Sequence, residues 1–181
     1  IIMAKMRNGG AACTSANRIF VQKGIAEEFI AAFTKAMDGF VMGRGTDDGV
    51  TLGAYVSIKE RDKISDLVDE AIKNGASIRT GGKKPEGNGA FYPATVMTVD
   101  KYNEILKHEI FGPVAPIVIF DTDEEGIALA NDTEFGLISY VFSGELGRAI
   151  RTAEAMESGM VAINKGVISD PAAPFGGVKQ S

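Results

Sequence analysis

The sequence predicts a layered α/β domain with a mainly parallel sheet flanked by helices. Three observations carry that reading. Short β-rich runs alternate with amphipathic helical stripes, the strands lie too far apart in sequence to be joined as hairpins, and Val114–Phe120 is a continuous apolar run suited to a buried central strand. With 181 residues, 45% of them hydrophobic, the chain is long enough for one domain with a buried core.

The elements follow in order. Ile1-Ile2-Met3-Ala4-Lys5 reads as a helix entered in its middle, since no capping residue precedes it, and suggests a fragment of a larger protein. Arg18–Gln22 is a short β-rich run, and Ile25, Phe29, Phe33 and Met37 then recur at every fourth position along one face of a helix. Ser57-Ile-Lys-Glu60 has capping-box spacing, and the stripe of Ile58, Ile64, Leu67, Val68, Ala71 and Ile72 stops at Gly75. Ala76–Arg79 and Phe91–Met97 read as strands around a Gly-Gly-Lys-Lys-Pro-Glu-Gly turn region. After Val114–Phe120, Thr122 and Glu125 cap a helix running to Asn131. A strand over Leu137–Phe142, a helix over Glu145–Glu157 and a final strand over Met160–Asn164 complete the alternation. Pro171, Pro174, Gly176 and Gly177 interrupt any period from Lys165 to Ser181, which predicts a loop laid over the domain.

Composition narrows the function classes. A net charge of -5 with interspersed signs leaves no basic stripe for a phosphate backbone, so nucleic acid is not an expected partner. No apolar run approaches the roughly 20 residues of a membrane span, and no signal peptide stands out. One cysteine excludes an internal disulfide and a multi-cysteine metal cage, so no metal is expected, and it suits a reducing compartment such as the cytoplasm.

That cysteine, Cys13, lies in Asn8-Gly-Gly-Ala-Ala-Cys13-Thr-Ser15, a run of small residues that would leave its sulfur accessible. A lone cysteine is more often a buried small hydrophobe than a nucleophile, so composition alone assigns it nothing. His108, the only histidine, makes a Cys-His pair arithmetically possible and nothing more. Asn131-Asp-Thr133 matches a glycosylation acceptor without any secretory context, and Gly81-Gly82-Lys83-Lys84 lacks the first Gly and the Ser or Thr of a phosphate-binding loop, leaving an exposed turn.

Four segments nevertheless stand in an order that resembles the aldehyde dehydrogenase family. Lys5–Cys13 with Asn17-Arg18 resembles its nucleophile motif and Glu109-Ile-Phe-Gly-Pro-Val114 its nicotinamide-ribose motif. Asn131–Leu137 resembles a structural turn of the family, and Pro174–Ser181 its segment near the substrate channel. The resemblance spans almost the whole chain and implies the catalytic domain of an NAD(P)-dependent enzyme over residues 1–181, cut away from most of its cofactor-binding domain.

It further implies roles. Cys13 would be the nucleophile, Glu109 would accept hydrogen bonds from the nicotinamide ribose, and Phe111 would pack against the nicotinamide. Read alone, Glu109 is a surface or capping carboxylate. Arg7 and Ser169 fall where the succinate semialdehyde dehydrogenases of the family hold a distal carboxylate, although alone they read as an ion-pairing arginine and a turn serine. The family's oxyanion Asn and water-activating Glu match no residue here, and Asn8 is not that Asn. The chain alone is therefore expected to be inactive, with a non-catalytic folded module or a dehydrogenase for another small aldehyde as the alternatives. The full-length parent is expected to be a homo-oligomer. Departures from the family pattern are Ala11 for its usual Gln, Met6 for its usual Phe, and Ser15 where some members carry a second cysteine, so no disulfide switch can form with Cys13.

Overall fold

The computed structural model describes residues 1–181. Its main sheet has the strand order β1 (Ile19–Gln22), β4 (Val114–Phe120), β3 (Thr95–Thr98), β2 (Ser77–Thr80). β4 runs parallel to β1 and β3, and β2 closes the edge antiparallel to β3. The strand alternation of two sends side chains to both faces, and each face meets a helix. Ile19, Val21, Val96, Ala115 and Ile117 pack with Ala26, Ile30, Phe33 and Met37 of α2 (Ala26–Asp38). Val114, Val118 and Met97 pack with Ile64, Val68 and Ala71 of α3 (Ile58–Lys73). The result is a helix, sheet, helix sandwich in which each fully buried aliphatic side chain contributes about 1.5–3 kcal/mol from removal of apolar area from water.

The predicted central strand contains Pro116, which has no N–H to donate. Thr95 and Val99 donate to the carbonyls of Pro113 and Ile117, so these alternate positions face β3 and residue 116 faces the β1 side. β1 joins β4 only from Ile117 onward, so the missing donor falls beyond that ladder.

After β4 the chain adds a helix against β1 and then a small two-stranded ribbon. α4 (Asp123–Asn131) is capped by Thr122, whose hydroxyl accepts from the Glu125 N–H at 3.3 Å. β6 (Ile138–Val141) pairs in parallel with β7 (Met160–Ile163) through α5 (Leu146–Ala155). This ribbon is separate from the main sheet, where the βαβα rhythm predicts one layered sheet. At the start of the chain, α1 (Ile2–Met6) is followed by a tight turn over Arg7–Gly10.

Several boundaries differ from expectation. The strand read over Phe91–Met97 becomes regular only at Thr95, after Pro93. Ile25 lies before α2 and is 56% exposed, with Ile30 completing the buried face instead. Gly82 is buried rather than exposed, its N–H bonded to the Thr95 hydroxyl at 2.9 Å. The closing loop contains β8 (Val178–Lys179), which pairs antiparallel with β5 (Phe135–Gly136). No helix is long and apolar enough to cross a membrane.

Candidate active site

The turn after α1 is built from left-handed residues: Asn8 at φ 51°, Gly9 at 62° and Gly10 at 80°. Two glycines make that path cheap, and Asn is the side-chain-bearing residue that tolerates it best. Asn8 braces the turn, its side-chain amide donating to the Ala11 carbonyl at 2.9 Å while its backbone carbonyl accepts from the Ala11 N–H at 3.0 Å. The following loop is tied back to α1, since Ser15 Oγ donates to the Lys5 carbonyl at 3.2 Å and the Ala16 N–H to the Ala4 carbonyl at 2.8 Å. Cys13 is held at the crest of this loop with its side chain exposed, not buried as an isolated cysteine usually is. Its backbone N–H is bonded to no carbonyl of the chain.

The Glu109–Pro113 loop lies directly beneath this turn. Asn17 brackets Glu109 from both sides: its Nδ2 donates to the His108 carbonyl, and its Oδ1 accepts from the Ile110 N–H at 2.8 Å. Glu109 is exposed and stands outside all eight ion pairs of the chain. Phe111 adopts φ 54°, a left-handed conformation that is costly for a bulky side chain, and the residue is 46% exposed. The ring therefore faces outward on a strained backbone next to the buried Gly112.

Arg7 and Ser169 are brought together across 162 residues, with Arg7 Nη1 donating to Ser169 Oγ at 3.4 Å. The closing loop reaches α1 through Gly166, where an added Cβ would lie 3.1 Å from Met3 Cβ. Both Arg7 and Ser169 are exposed, so the pair presents a guanidinium and a hydroxyl to solvent. These surroundings combine an accessible thiol, a polar pair suited to an anion, and an exposed carboxylate with an aromatic ring.

Five residues contribute in ways that no sequence pattern reveals. Asn17 stands in a motif that gives it no role of its own. Gly10 and Gly112 form the backbone contact between the two loops, which no periodicity reveals. Tyr140 reaches from β6 to donate its hydroxyl to the Thr14 carbonyl at 2.8 Å. Lys5 is 1% exposed and forms no ion pair, and burial lowers its ammonium to about 7. Other motif residues have structural work. Arg18 donates to the carbonyls of Leu129, Ala130 and Asp132, placing a cation on the final turn of α4. Asn131 is spent bridging Ala155 and Glu157, which gives the apparent glycosylation acceptor a packing role. No group of three or more His, Cys, Asp or Glu side chains is placed to hold a metal.

Known proteins resemble this chain over nearly its whole length. A model described as the aldehyde dehydrogenase family matches residues 1–181. A succinate-semialdehyde dehydrogenase of Paenarthrobacter nicotinovorans is 49% identical over 98% of this chain and 40% of its own length. A glutarate-semialdehyde dehydrogenase of Pseudomonas putida is 42% identical over 99% of this chain and 37% of its own. The crystal structure of a succinate-semialdehyde dehydrogenase from Burkholderia pseudomallei superimposes with a TM-score of 0.95 at 43% identity, covering 99% of this chain and 37% of that one. The chain thus spans less than half the length of each of these relatives.

Proposed function

The chain belongs to the aldehyde dehydrogenase family, and from that premise we propose that it is the nucleophile-bearing catalytic domain of a larger NAD(P)-dependent enzyme oxidising a small carboxylated aldehyde, foremost succinate semialdehyde. The carrying observation is the Arg7–Ser169 hydrogen bond at the foot of the turn that bears the exposed Cys13. A guanidinium fork binds both oxygens of a carboxylate and a neighbouring hydroxyl completes the set, which favours an aldehyde with a distal carboxylate. Succinate and glutarate semialdehydes, named for the relatives, differ by one methylene and share that pattern.

The residues present fit a nicotinamide cofactor. Glu109 is exposed, unpaired and braced by Asn17, so it is free to accept ribose hydroxyls, and the outward Phe111 ring offers an apolar face to the nicotinamide. When bound, NAD or NADP supplies the acceptor for the hydride. Cys13 is the proposed nucleophile: its sulfur bonds to the aldehyde carbon as its proton passes to solvent and the carbonyl electron pair moves to oxygen, and the free Cys13 N–H is a donor for that oxyanion. With the cofactor bound as hydride acceptor, a thioester on Cys13 would follow, and water adding its hydroxyl to the acyl carbon and its proton to sulfur would release the acid and restore the thiol.

The second oxyanion donor and the water-activating Glu of the family match no residue of this sequence. The 181-residue chain by itself is accordingly proposed to turn over no aldehyde, and its parent to act as a cytoplasmic homo-oligomer. Steady NADH or NADPH production by the purified chain would overturn the first of these statements. The nucleophile assignment is tested by the rate at which iodoacetamide alkylates Cys13 in the folded chain as pH varies, against a free thiol of pKa about 8.5. Rapid alkylation at neutral pH supports it, and alkylation only on unfolding rejects it.

A further inference from the structure

Tyr140 connects the two halves of the molecule at the nucleophile. It lies in β6 opposite Ala162 of β7, and its hydroxyl crosses to the Thr14 carbonyl, 2.8 Å away and 126 residues distant in sequence. Thr14 directly follows Cys13 and is 6% exposed, so its carbonyl has little access to water. Of the remaining ties of the loop, the Ser15 N–H bonds Ala12 within it, while Ser15 Oγ and the Ala16 N–H run back to α1. Only the Tyr140 bond fixes it from the β6–β7 ribbon. Arg7 and Cys13 both lie within electrostatic reach of the phenol. Burial raises its proton affinity above the ordinary value, the Thr14 bond and Arg7 lower it, and Cys13 raises it again. The phenol therefore keeps its proton and donates it to the Thr14 carbonyl.

We infer that Tyr140 is a positioning residue, whose hydrogen bond to the Thr14 carbonyl holds the Cys13 sulfur in alignment with Arg7. This rests on the reading of Cys13 as nucleophile and Arg7 as the carboxylate-holding group. Tyr140→Phe keeps the ring but leaves a buried carbonyl without its donor, so the loop relaxes toward other partners. The alignment can be read with two alkylating agents that differ chiefly in charge, iodoacetate and iodoacetamide. A sulfur aligned with Arg7 favours the carboxylated reagent.

The experiment measures both alkylation rates of Cys13 in the 181-residue chain, across pH, for the unaltered protein, Tyr140→Phe and Ser139→Ala. Ser139 sits in the same strand and bonds Ser158, not the nucleophile loop. Tyr140→Phe is expected to lower the iodoacetate-to-iodoacetamide ratio at least about threefold, the order expected for loss of one hydrogen bond. Its iodoacetamide rate should stay within about twofold, and Ser139→Ala should leave the ratio unchanged. A reactive Cys13 whose ratio is indifferent to Tyr140→Phe overturns this inference alone, whereas a Cys13 inert in the folded chain removes the nucleophile reading beneath it. Native-state hydrogen exchange on the unaltered chain gives a readout that does not depend on the variant folding. Protection of the hydrogen-bonded Ser15 and Ala16 amides together with β6 is expected, and free exchange of those two amides beside a protected β6 contradicts the role.

Discussion

A Cβ added to Gly10 would stand 2.1 Å from the carbonyl oxygen of Gly112, so the backbone of the turn leading to Cys13 rests directly on the loop that carries Glu109 and Phe111. The two proposed functions, thiol chemistry and ribose binding, are thus joined through main chain. Such a contact transmits displacement with little loss, because neither side has a flexible side chain to absorb it.

Gly10→Ala meets both this contact and the left-handed φ of 80°, and the obstructing atom is backbone. It is expected to destabilise the chain by about 2 kcal/mol or more, measured by urea unfolding. Gly45→Ala, where an added Cβ meets nothing within 4 Å, serves as the comparison and should change stability by less than about 0.5 kcal/mol.

Asn17→Ala removes both hydrogen bonds that bracket Glu109. In the complete dehydrogenase it should raise KM for NAD or NADP roughly tenfold, the effect of about 1.4 kcal/mol, while iodoacetamide alkylation of Cys13 stays close to the unaltered rate. Equal losses in both readouts would show a general loosening of the site instead.

Lys5 gives a pH dependence of definite sign. Burial lowers its ammonium from 10.5 to about 7, so between these values the unfolded chain binds more protons at this group than the folded one. Its contribution to stability therefore rises with pH from about 7 to 10.5, by at most about 1.4 kcal/mol per unit, and is flat below 7, where the cation stays buried. Thermal unfolding should show Tm increasing between pH 7 and 9. Lys5→Met should remove that increase and raise Tm at pH 7, and a slope that survives the substitution belongs to other groups.

Arg7→Gln keeps a polar side chain and removes the charge that a distal carboxylate would meet. In the complete enzyme KM for succinate semialdehyde should rise roughly tenfold to a hundredfold, as expected for loss of a charged hydrogen bond. Activity toward an uncharged aldehyde such as propionaldehyde should remain within about twofold. A parallel loss for both aldehydes would place Arg7 outside carboxylate recognition.

The elements most legible in the sequence were those whose own periodicity decides their burial. The capping serine and apolar stripe of α3 gave its limits, with Ser57 Oγ accepting the Glu60 N–H at 3.2 Å as the spacing predicts. β4 was legible as an apolar run, because burial on both faces leaves no polar alternation to read. The division of the strands into a main sheet and a separate β6–β7 ribbon was not legible, since pairing partners are chosen by packing between distant segments. The short β8 was hidden for the same reason: two residues inside a Gly- and Pro-rich loop pair only because Phe135–Gly136 is brought to them.

The sequence by itself determined the α/β class, the order of most elements and, through four motifs in order, the family and the candidate residues Cys13, Glu109, Phe111, Arg7 and Ser169. These are consequences of local pattern, in which each residue's periodicity or its neighbours carry the signal. Tertiary structure alone decided that Arg7 meets Ser169, that Asn17 clamps the backbone around Glu109, that Gly10 rests on Gly112 and that Tyr140 ties β6 to the Cys13 loop. Each of these joins residues far apart in the chain through one hydrogen bond or one close approach. Such contacts leave no period in the sequence, because their geometry exists only after the sheet and its helices have fixed where the loops lie.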